Sequence, residues 1–517
     1  MASPTTIALG AVFCAVIVRL LLQRGSQRRK LLPPGPPPLP IIGNAHQIPT
    51  VQEWKTYCKW ADDYNAHKLL YFRNFGQSFL VINDLATAQE IFERRSTKYS
   101  DRSDMVMTFD LMEMTWNFGF KRYGDEWREQ RKMFSIAHHP NAVHQHYEVQ
   151  TRACGELIRA LLHTPDEFED HIAFFSGQVI LNIVYGYRAK DRHDPFVELS
   201  ELAQSLLNET NHQLYPVELF PVLKHYPRWL PGADFLVPWK HVDKARSVNA
   251  ALVNEPFNRA VEDMSKDGTD PSFVQEHLQR LEEVTDPSAK KRLKTVVQQT
   301  AAVQYFAGAD TVSTALSGFI LAMSLYPEVQ KKAQAELDSV LRGSRLPNFT
   351  DKEDLPYIGA VLKETMRWNP VTPLGIPHRS SEDDMVDGYL IPKDTIVFGN
   401  TWKILHDPKL YGEDFMVFNP ERFLPKDGAA MPPDPVVACF GYGRRICPGR
   451  HFAMNNLFIV MSSILATFNI AKALDANGKE IEPGLEFSTG TVSKPEPFKA
   501  RVEARSEQAR KLALLEA

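Results

Sequence analysis

Apolar residues are concentrated in one dense run near the N-terminus and are then spread along a much longer body. The run extends from Thr5 to Leu22 and is interrupted by Arg19. As a helix it would span about 27 Å, close to the hydrocarbon thickness of the endoplasmic reticulum membrane. No basic residue precedes the run, whereas four follow it by position 30. The positive-inside rule therefore predicts a single-pass anchor in this membrane, with the following domain in the cytosol.

A proline-rich segment, Pro33 to Pro40, follows the basic flank. Proline cannot continue a helix and favours polyproline II geometry, so this segment predicts a stiff hinge between anchor and body. We divide the chain into a signal anchor with its basic flank (1–30), the hinge (31–44) and one large catalytic domain (45–517). No strong linker within the last range suggests a further division.

Helical patterns dominate the body. The segment from Tyr326 to Leu341 has Pro327 at a first helical position and is followed by Gly343, a candidate C-terminal cap. Short strand-like runs are few, for example at 79–82, 389–391 and 395–398. The pattern predicts a mainly α fold with small β-sheets.

The longest helical candidate runs from about Thr295 to Leu325. Its apolar part could be mistaken for a second membrane span. Gln304 and Asp310 within it favour a buried helix that crosses the middle of a large domain, because polar groups there need protein partners or water.

Composition narrows the function only a little. Hydrophobic residues make up 44% and charged residues 24%, as in ordinary globular proteins. The net charge of -4 gives no reason to expect a nucleic-acid partner. The five cysteines are scattered without metal-type spacing, which is consistent with a reduced, cytosol-facing body.

The most specific chemistry lies in the run Phe440–Gly449, which reads Phe-Gly-Tyr-Gly-Arg-Arg-Ile-Cys-Pro-Gly. Gly443 and Gly449 lack side chains where backbone could bend tightly or approach a flat macrocycle. Arg445 offers a cation to a haem propionate, and backbone N–H groups around Cys447 could stabilise a thiolate. A thiolate under haem iron donates electrons strongly and favours cleavage of dioxygen.

This run resembles the Phe-x-x-Gly-x-Arg-x-Cys-x-Gly signature of the cytochromes P450, and the resemblance extends over nearly the whole chain. It implies the fold of that family and haem b as the cofactor, with Cys447 as the axial iron ligand. It also implies that Phe440, Gly443, Arg445 and Gly449 contribute to cofactor binding. The anchor, basic flank and proline hinge are similar to those of microsomal members.

The long helix contains Ala307-Gly-Ala-Asp-Thr311, which resembles the oxygen-activation motif of the family. Gly308 would permit close approach of a ligand or the macrocycle. Asp310 and Thr311 supply an acid and a hydroxyl, the groups needed to deliver protons when dioxygen is cleaved. Members often have a second hydroxyl directly after the threonine, whereas this chain has Val312 and then Ser313.

Two further motifs resemble those of the family. Glu364-Thr-Met-Arg367 places opposite charges on one helix face, and the resemblance joins them to Arg422 in a buried set that supports the cysteine loop. Trp127 and Arg131 are implied to hold haem propionates, as is His378, with Arg379 as the alternative to His378.

Other segments are less specific. The histidines at 138, 139, 144 and 146 could suggest a metal site, but their spacing favours solvated loop histidines. The resemblance implies substrate contacts from the Met-rich segment (Met105–Met114), from Val371, Thr372, Leu374 and Ile376, and from 489–492. Each of these could equally be core.

The resemblance implies a monooxygenase that inserts one oxygen atom into an apolar small molecule. No flavin or nicotinamide motif occurs in the chain, so electrons would come from a membrane-bound NADPH-dependent reductase, with cytochrome b5 as a second donor to consider. Fungal secondary metabolism is the implied setting, with terpenoid, polyketide or indole-type substrates. Two alternatives stay open: a haem-thiolate isomerase or dehydratase that needs no external electrons, and a non-catalytic membrane haem-binding protein.

Overall fold

The computed structural model describes residues 31–211, 215–266, 270–426, 428 and 430–515. The predicted signal anchor at 1–30 therefore lies outside the described residues. Within the described part, one helix, Pro287–Leu325, is long and apolar enough to cross a membrane, and 72% of its apolar window is buried inside the fold. The prediction that this segment is a buried core helix is confirmed.

The described residues are mainly helical. The helices are α1 (Glu53–Asp63), α2 (Leu85–Gln89), α3 (Ser96–Tyr99), α4 (Asp125–Ala137), α5 (Tyr147–His163), α6 (Phe168–Tyr185), α7 (Pro195–Asn211), α8 (Pro216–Leu219), α9 (Ala233–Leu236), α10 (Trp239–Asp263), α11 (Phe273–Leu281), α12 (Pro287–Leu325), α13 (Pro327–Leu341), α14 (Pro356–Trp368), α15 (Thr401–Leu405), α16 (Pro408–Tyr411), α17 (Val436–Cys439), α18 (Arg450–Thr467) and α19 (Glu507–Leu515).

Three small sheets accompany these helices. The strands are β1 (Leu69–Asn74), β2 (Gln77–Ile82), β3 (His378–Arg379), β4 (Asp384–Val386), β5 (Tyr389–Ile391), β6 (Ile396–Gly399), β7 (Phe468–Lys472) and β8 (Ala500–Ala504). The largest sheet has the order β1-β2-β6-β3, with β2 and β6 parallel and the other pairs antiparallel. Two antiparallel pairs, β4-β5 and β7-β8, form the other sheets. The predicted mainly α architecture with small sheets is confirmed.

Local capping explains where the longest helix begins. The side chain of Asp286 accepts hydrogen bonds from the N–H groups of Ser288 and Ala289, and Pro287 occupies the first turn. These groups satisfy N–H donors that have no partner within the helix. Helix α12 therefore starts eight residues before the predicted Thr295. Its middle and C-terminal parts are buried in the main core together with α6, α14 and α18.

The end of α13 differs slightly from the prediction. Gly343 was expected to provide the left-handed cap, and it does adopt φ +63°. Arg342 precedes it with φ 53°, so the left-handed turn begins one residue earlier, at a non-glycine residue. The left-handed conformation is higher in free energy for a residue with a Cβ than for glycine.

The described part of the proline-rich hinge packs along the largest sheet. The N–H of Tyr71 in β1 donates to the carbonyl of Pro34 at 2.9 Å. The side chain of Asn44 donates to the carbonyl of Pro36 at 3.1 Å. A Cβ at Gly35 would lie 1.9 Å from the carbonyl oxygen of Tyr71, so the close approach of the two backbones requires glycine here.

Candidate active site

The loop before α18 presents Cys447 on a tightly closed backbone. The N–H of Cys447 donates to the carbonyl of Phe440 at 2.7 Å, which closes the loop on itself. Burial raises the pKa of the Cys447 thiol, whereas the N–H of Gly449 and the nearby cations Arg131 and Arg450 act in the opposite direction. A backbone donor and two guanidinium groups thus surround the sulfur, and all three would stabilise a thiolate.

Glycine suits positions 443 and 449 of the loop for different physical reasons. Gly443 adopts φ +53°, and a Cβ there would lie 2.1 Å from the carbonyl oxygen of Phe92, so another residue would be strained. Gly449 adopts φ -86°, which any residue can adopt, so the expected tight bend is not found there. A Cβ at Gly449 would instead lie 4.0 Å from the sulfur of Cys447.

Cys439 lies at the C-terminal end of α17 and has a different environment. Its thiol donates to the carbonyl of Met366 at 3.3 Å, and burial raises its pKa far above the usual range. It therefore remains a neutral thiol, which is a poor metal ligand.

Helix α4 carries Trp127 and Arg131 and connects the cysteine loop with α12. Its residue Gln130 donates to the side-chain oxygen of Gln299 in α12 at 3.0 Å. At the other side, the ring of Phe134 lies 3.8 Å from where a Cβ of Gly449 would be. The helix places Arg131 near Cys447, and burial lowers the pKa of Arg131 to about 10.

Arg445 is buried beside the aromatic ring of Trp127, with its guanidinium carbon 4.4 Å from the ring centroid. Its three nitrogens donate to backbone carbonyls at 2.8, 3.2 and 2.8 Å, those of Ser100, Phe118 and Lys121. Burial lowers the pKa of Arg445 to about 9, and the nearby Arg131 contributes in the same direction. Trp127 and Arg131, predicted together from one motif, and Arg445, predicted from the cysteine loop, are therefore neighbours.

A further arginine, Arg102, belongs to this group but was not predicted. It is buried and donates to the carbonyls of Gly119, Ile376 and Pro377 at 2.9, 2.7 and 2.8 Å. Burial lowers its pKa, and the positive charge of Arg445 lowers it further. In the sequence it stands in a charged, turn-like stretch, where an arginine is most simply interpreted as a surface residue.

The structure distinguishes between His378 and Arg379, the two alternative candidates for a propionate contact. His378 is buried, and its Nδ1–H donates to the carbonyl of Tyr99 at 2.6 Å. Burial and the cations Arg102 and Arg445 lower its pKa well below the usual value. Arg379 instead pairs with carboxylates, those of Asp104 at 2.8 Å and Asp394 at 2.8 Å. The geometry favours His378 as the member of the basic group.

These basic residues suit an anionic ligand beside Cys447. Buried charges in proteins are normally paired. Among the described residues, however, no carboxylate forms an ion pair with Arg102, Arg131 or Arg445, although the carboxylate of Asp101 is near enough to act against the lowering of the pKa values of Arg102 and Arg445. The two propionates of a haem would supply the missing negative charges, so the donor set fits this cofactor.

The face of α12 that contains Ala307 and Thr311 is exposed within an otherwise buried stretch. Residues 300–306 are buried, whereas Ala307 is exposed and Thr311 is half-buried one turn later. The hydroxyl of Thr311 donates to the carbonyl of Ala307 at 3.0 Å. The prediction for Gly308 was wrong: a Cβ there would lie 2.9 Å from the side chain of Ile180, so glycine allows α12 to pack closely against α6.

Asp310 lies on another face of α12, because adjacent helical residues diverge by about 100°. It lines a polar cavity of about 510 Å³ together with Glu201, Ser488 and Lys494. Burial raises the pKa of Asp310, while Lys494 lowers it and Glu201 raises it. Ser313, the nearest following hydroxyl, donates to the backbone carbonyl of Asp310 at 2.8 Å.

Glu364, Arg367 and Arg422 meet in a buried ion-pair set. Arg367 donates to both carboxylate oxygens of Glu364 at 2.7 and 2.8 Å, and Arg422 donates to the same carboxylate at 3.2 Å. Arg422 also pairs with Asp414 at 3.1 Å, and Asn419 N–H donates to Glu364 at 2.8 Å. The set therefore holds the 405–422 segment onto α14, one connection before the cysteine loop.

The expected substrate segments are only partly accessible. In the Met-rich segment, Met107, Met112 and Met114 are fully buried, so these three belong to the core and not to an open wall. Val371 is buried as well, whereas the other residues named at 372, 374, 376 and 489–492 are half-buried.

The prediction of solvated loop histidines was wrong for two of the four. His138 and His146 are buried in contact with each other, with ring centroids 5.4 Å apart, and burial lowers their pKa values to about 4 and about 3. The ring of His138 hydrogen-bonds to Gln304 in α12 at 2.7 Å. No group of acidic, His or Cys side chains in the described residues could hold a metal ion.

Comparison with known proteins agrees with this site. Residues 33–502 match the family model of cytochrome P450, and the chain belongs to the cytochrome P450 family. It is therefore a haem-thiolate oxidoreductase of the monooxygenase class, and its cofactor is haem b with an axial cysteine thiolate.

Several fungal monooxygenases are similar to the chain over nearly its whole length. A cytochrome P450 monooxygenase of Armillaria gallica is 36% identical over 98% of each chain. The cytochrome P450 monooxygenase eriA of Hericium erinaceus is 39% identical over 96% of this chain and 93% of its own. Tryptamine 4-monooxygenase of Psilocybe cyanescens is 38% identical over 93% of this chain and 94% of its own.

Proposed function

We propose that this chain is a membrane-anchored monooxygenase that oxidises an apolar small molecule, with Cys447 as the iron ligand. One observation carries the assignment: Cys447 lies among donors that would stabilise a thiolate, and the basic group beside it, which includes Arg131 and the buried Arg445, forms no ion pair with a carboxylate among the described residues. When bound, haem supplies the redox chemistry that activates dioxygen. The chain supplies the sulfur ligand, the cations that hold the propionates and the groups that move protons.

Arg102, Arg131, Arg445, Trp127 and His378 are the proposed propionate contacts. The guanidinium groups of Arg102 and Arg445 already donate to backbone carbonyls, which fixes their orientation before a ligand arrives. Trp127 would donate through its indole N–H. A bound carboxylate would favour protonated His378, whose Nε2 could then donate while Nδ1 stays on the carbonyl of Tyr99.

Protons are proposed to pass from the polar cavity through Asp310 to the exposed face of α12. A raised pKa makes the Asp310 carboxyl a better proton donor near neutral pH. From the cavity side, Lys494 lowers the pKa of Asp310 and Glu201 raises it. Thr311 can turn its hydroxyl hydrogen from the carbonyl of Ala307 towards a ligand on that face, because a hydroxyl rotates freely between partners.

Replacing Thr311 by alanine tests this function. We expect haem content and substrate binding to survive, while product formed per NADPH consumed falls and hydrogen peroxide rises. Loss of one proton-delivery group costs ~10²- to 10⁴-fold in the catalysed step, less where water substitutes. The measurement is coupling in reductase-reconstituted membranes.

Thr314→Ala is the matched control, because Thr314 lies on the same helix but is fully buried. Its coupling should equal that of the wild type. Unchanged coupling and turnover in Thr311→Ala would remove Thr311 from the mechanism. Product formation without NADPH would instead favour an isomerase or dehydratase.

Electrons are proposed to come from an NADPH-dependent P450 reductase, with cytochrome b5 as a further donor. The substrate is proposed to be a fungal secondary metabolite of terpenoid, polyketide or indole type. Support for the last class comes from the similarity to tryptamine 4-monooxygenase, whose named substrate is an indole amine.

Location at the endoplasmic reticulum membrane is supported by the surface of the segment 216–236. Three of its large apolar side chains point outwards: Trp229 is 82% exposed, Phe235 76% and Val222 74%. Phe220, also exposed, contacts Phe75 at the β1–β2 turn with ring centroids 6.1 Å apart. Apolar side chains this exposed and this close in sequence suit contact with lipid.

Fluorophores attached to this surface should be quenched by spin-labelled lipids. In the full-length protein reconstituted in nanodiscs, Trp229→Cys and Phe235→Cys are labelled with a fluorophore and exposed to nitroxide-bearing lipids. We expect strong quenching at both sites, because the membrane would cover them. Met416→Cys is the matched control, since Met416 is also an exposed apolar residue, at 54%. Equal quenching at all three positions would contradict the proposed orientation.

A further inference from the structure

The Met-rich segment makes several polar contacts with residues 218–249. Arg246 donates to the carbonyl of Leu111 at 2.6 Å, and Asn249 donates to the carbonyl of Met112 at 2.9 Å, both from α10. Lys224 pairs with Asp110 at 2.7 Å. Residues 218–249 therefore fix the position of this segment.

Glu218 in α8 makes the most direct of these contacts. Its two carboxylate oxygens accept hydrogen bonds from the N–H groups of Val106 and Met107, at 3.0 and 2.6 Å. These are the first two residues of the π-helical turn Val106–Leu111, whose N–H groups have no partner within the turn. The carboxylate therefore caps the turn from a different part of the chain.

The charges around Glu218 make this contact unusual. No basic side chain forms an ion pair with Glu218 in the described part of the chain. Its charged neighbours are Asp110 and Asp104, and both are acidic. Asp110 is neutralised by Lys224, and Asp104 by Arg379. Burial raises the pKa of Glu218, and the two backbone N–H groups act in the opposite direction. These N–H groups are the partners that stabilise the half-buried carboxylate, and both hydrogen bonds are charge-assisted when it is ionised.

The capped turn forms a small core of its own. Val106, Met107 and Leu111 pack against Val217 and other apolar residues of α8 to α10, apart from the main core: Tyr215, Ala233, Val237, Trp239 and Val242. Its neighbours in the chain, Met105, Phe109 and Met112, pack in or against the main core, so the Met-rich segment lies between the two cores.

The segment leads from this small core to the exposed face of α12. Five residues after Leu111, the ring of Trp116 contacts Phe306 with centroids 5.9 Å apart. Phe306 directly precedes the exposed Ala307. The contact between Trp116 and Phe306 therefore connects the capped turn to the region where ligands would reach α12.

We propose that Glu218 is a positioning residue that controls entry of small molecules to the haem side of α12. By holding the first turn of the Met-rich segment against α8, it keeps the two segments together. Parting them requires both charge-assisted hydrogen bonds to break. The role in entry rests on the proposed function, since it takes the exposed face of α12 as the haem side.

The test replaces Glu218 by glutamine in the full-length protein. The amide oxygen can accept one N–H, but the amide nitrogen cannot accept the other. Loss of one charge-assisted hydrogen bond should speed hydrogen exchange in a 105–113 peptide about tenfold. Imidazole, used as a haem-binding probe in stopped-flow absorbance, should bind with a faster on-rate while the carbon monoxide spectrum stays unchanged.

Asp110→Asn is the matched control, because it breaks the exposed pair with Lys224 but leaves both backbone hydrogen bonds of Glu218. Its exchange and imidazole on-rate should stay near those of the wild type. Equal exchange in wild type and Glu218→Gln would overturn the proposal, as would faster exchange with an unchanged imidazole on-rate.

A measurement on the wild type alone tests the proposal even if the Glu218→Gln variant does not fold. The amides of Val106 and Met107 should exchange more slowly than those of the neighbouring Ser103 and Asp104, and fast exchange at both would overturn the proposal. A wild-type protein that binds no haem would refute the proposed function instead, and hydrogen exchange would still report on Glu218.

Discussion

Cys447→Ser is expected to abolish the red-shifted Soret band of the reduced, carbon monoxide-treated protein and all monooxygenase turnover. A serine hydroxyl does not ionise near neutral pH, so the donors around Cys447 would have no thiolate to stabilise. The arginines proposed to hold the propionates remain, so some haem could still bind with another ligand. The measurement is the difference spectrum of membranes containing the full-length protein.

Cys439→Ser is the matched control, since Cys439 is the nearest cysteine in sequence. Its thiol hydrogen-bonds to the carbonyl of Met366 and is kept neutral by burial. A serine hydroxyl can make the same hydrogen bond, so the band should persist. If Cys447→Ser kept the band and Cys439→Ser lost it, the ligand assignment would be wrong.

Local sequence signals predicted the fold well where they act within a few residues. Pro327 marks the start of α13, and the short β-type run at 389–391 coincides with β5. The start of α12 was missed because Asp286, Pro287 and Ser288 precede a strongly polar first turn without apolar periodicity. Burial of His138 and His146 was missed for a different reason: it depends on the packing of α4 against α18 and α12, which no local pattern reveals.

The candidate site could be predicted only where residues belong to a dense motif. Cys447, Arg445 and Glu364 stand in such motifs. Arg102 does not, because what distinguishes it is burial among carbonyls from distant segments. Lys494 and Glu201 reach Asp310 from opposite parts of the chain, and the adjacent positions of Asp310 and Thr311 did not indicate that Asp310 lines a polar cavity with them. Gly308 was interpreted through the motif, although its nearest contact is the side chain of Ile180 on a neighbouring helix.

The buried set around Glu364 predicts a large loss of stability when it is broken. Arg367 and Glu364 are fully buried, and Arg367 also donates to the carbonyl of Leu405 at 3.0 Å. Arg367→Met keeps much of the volume but leaves the Glu364 carboxylate with only Arg422 and the N–H of Asn419. Removing one partner of a buried pair costs about 3–5 kcal/mol because it leaves a poorly compensated charge.

Arg345→Met is the matched control for this effect. Arg345 also makes a two-pronged pair, with Asp351 at 2.7 and 2.6 Å, but its side chain is 42% exposed, whereas that of Asp351 is 7% exposed. Water can reach the Arg345 side of the pair, and Asp351 keeps the hydrogen bond from the N–H of Asn348, so the loss should be smaller than for Arg367→Met. Urea unfolding followed by helical circular dichroism and by Soret absorbance would compare the two variants. Arg367→Met should unfold at much lower urea and lose haem in the same transition, because the set holds the 405–422 segment that leads to the cysteine loop. Equal midpoints for the two variants would show that the buried set contributes no more than a surface pair.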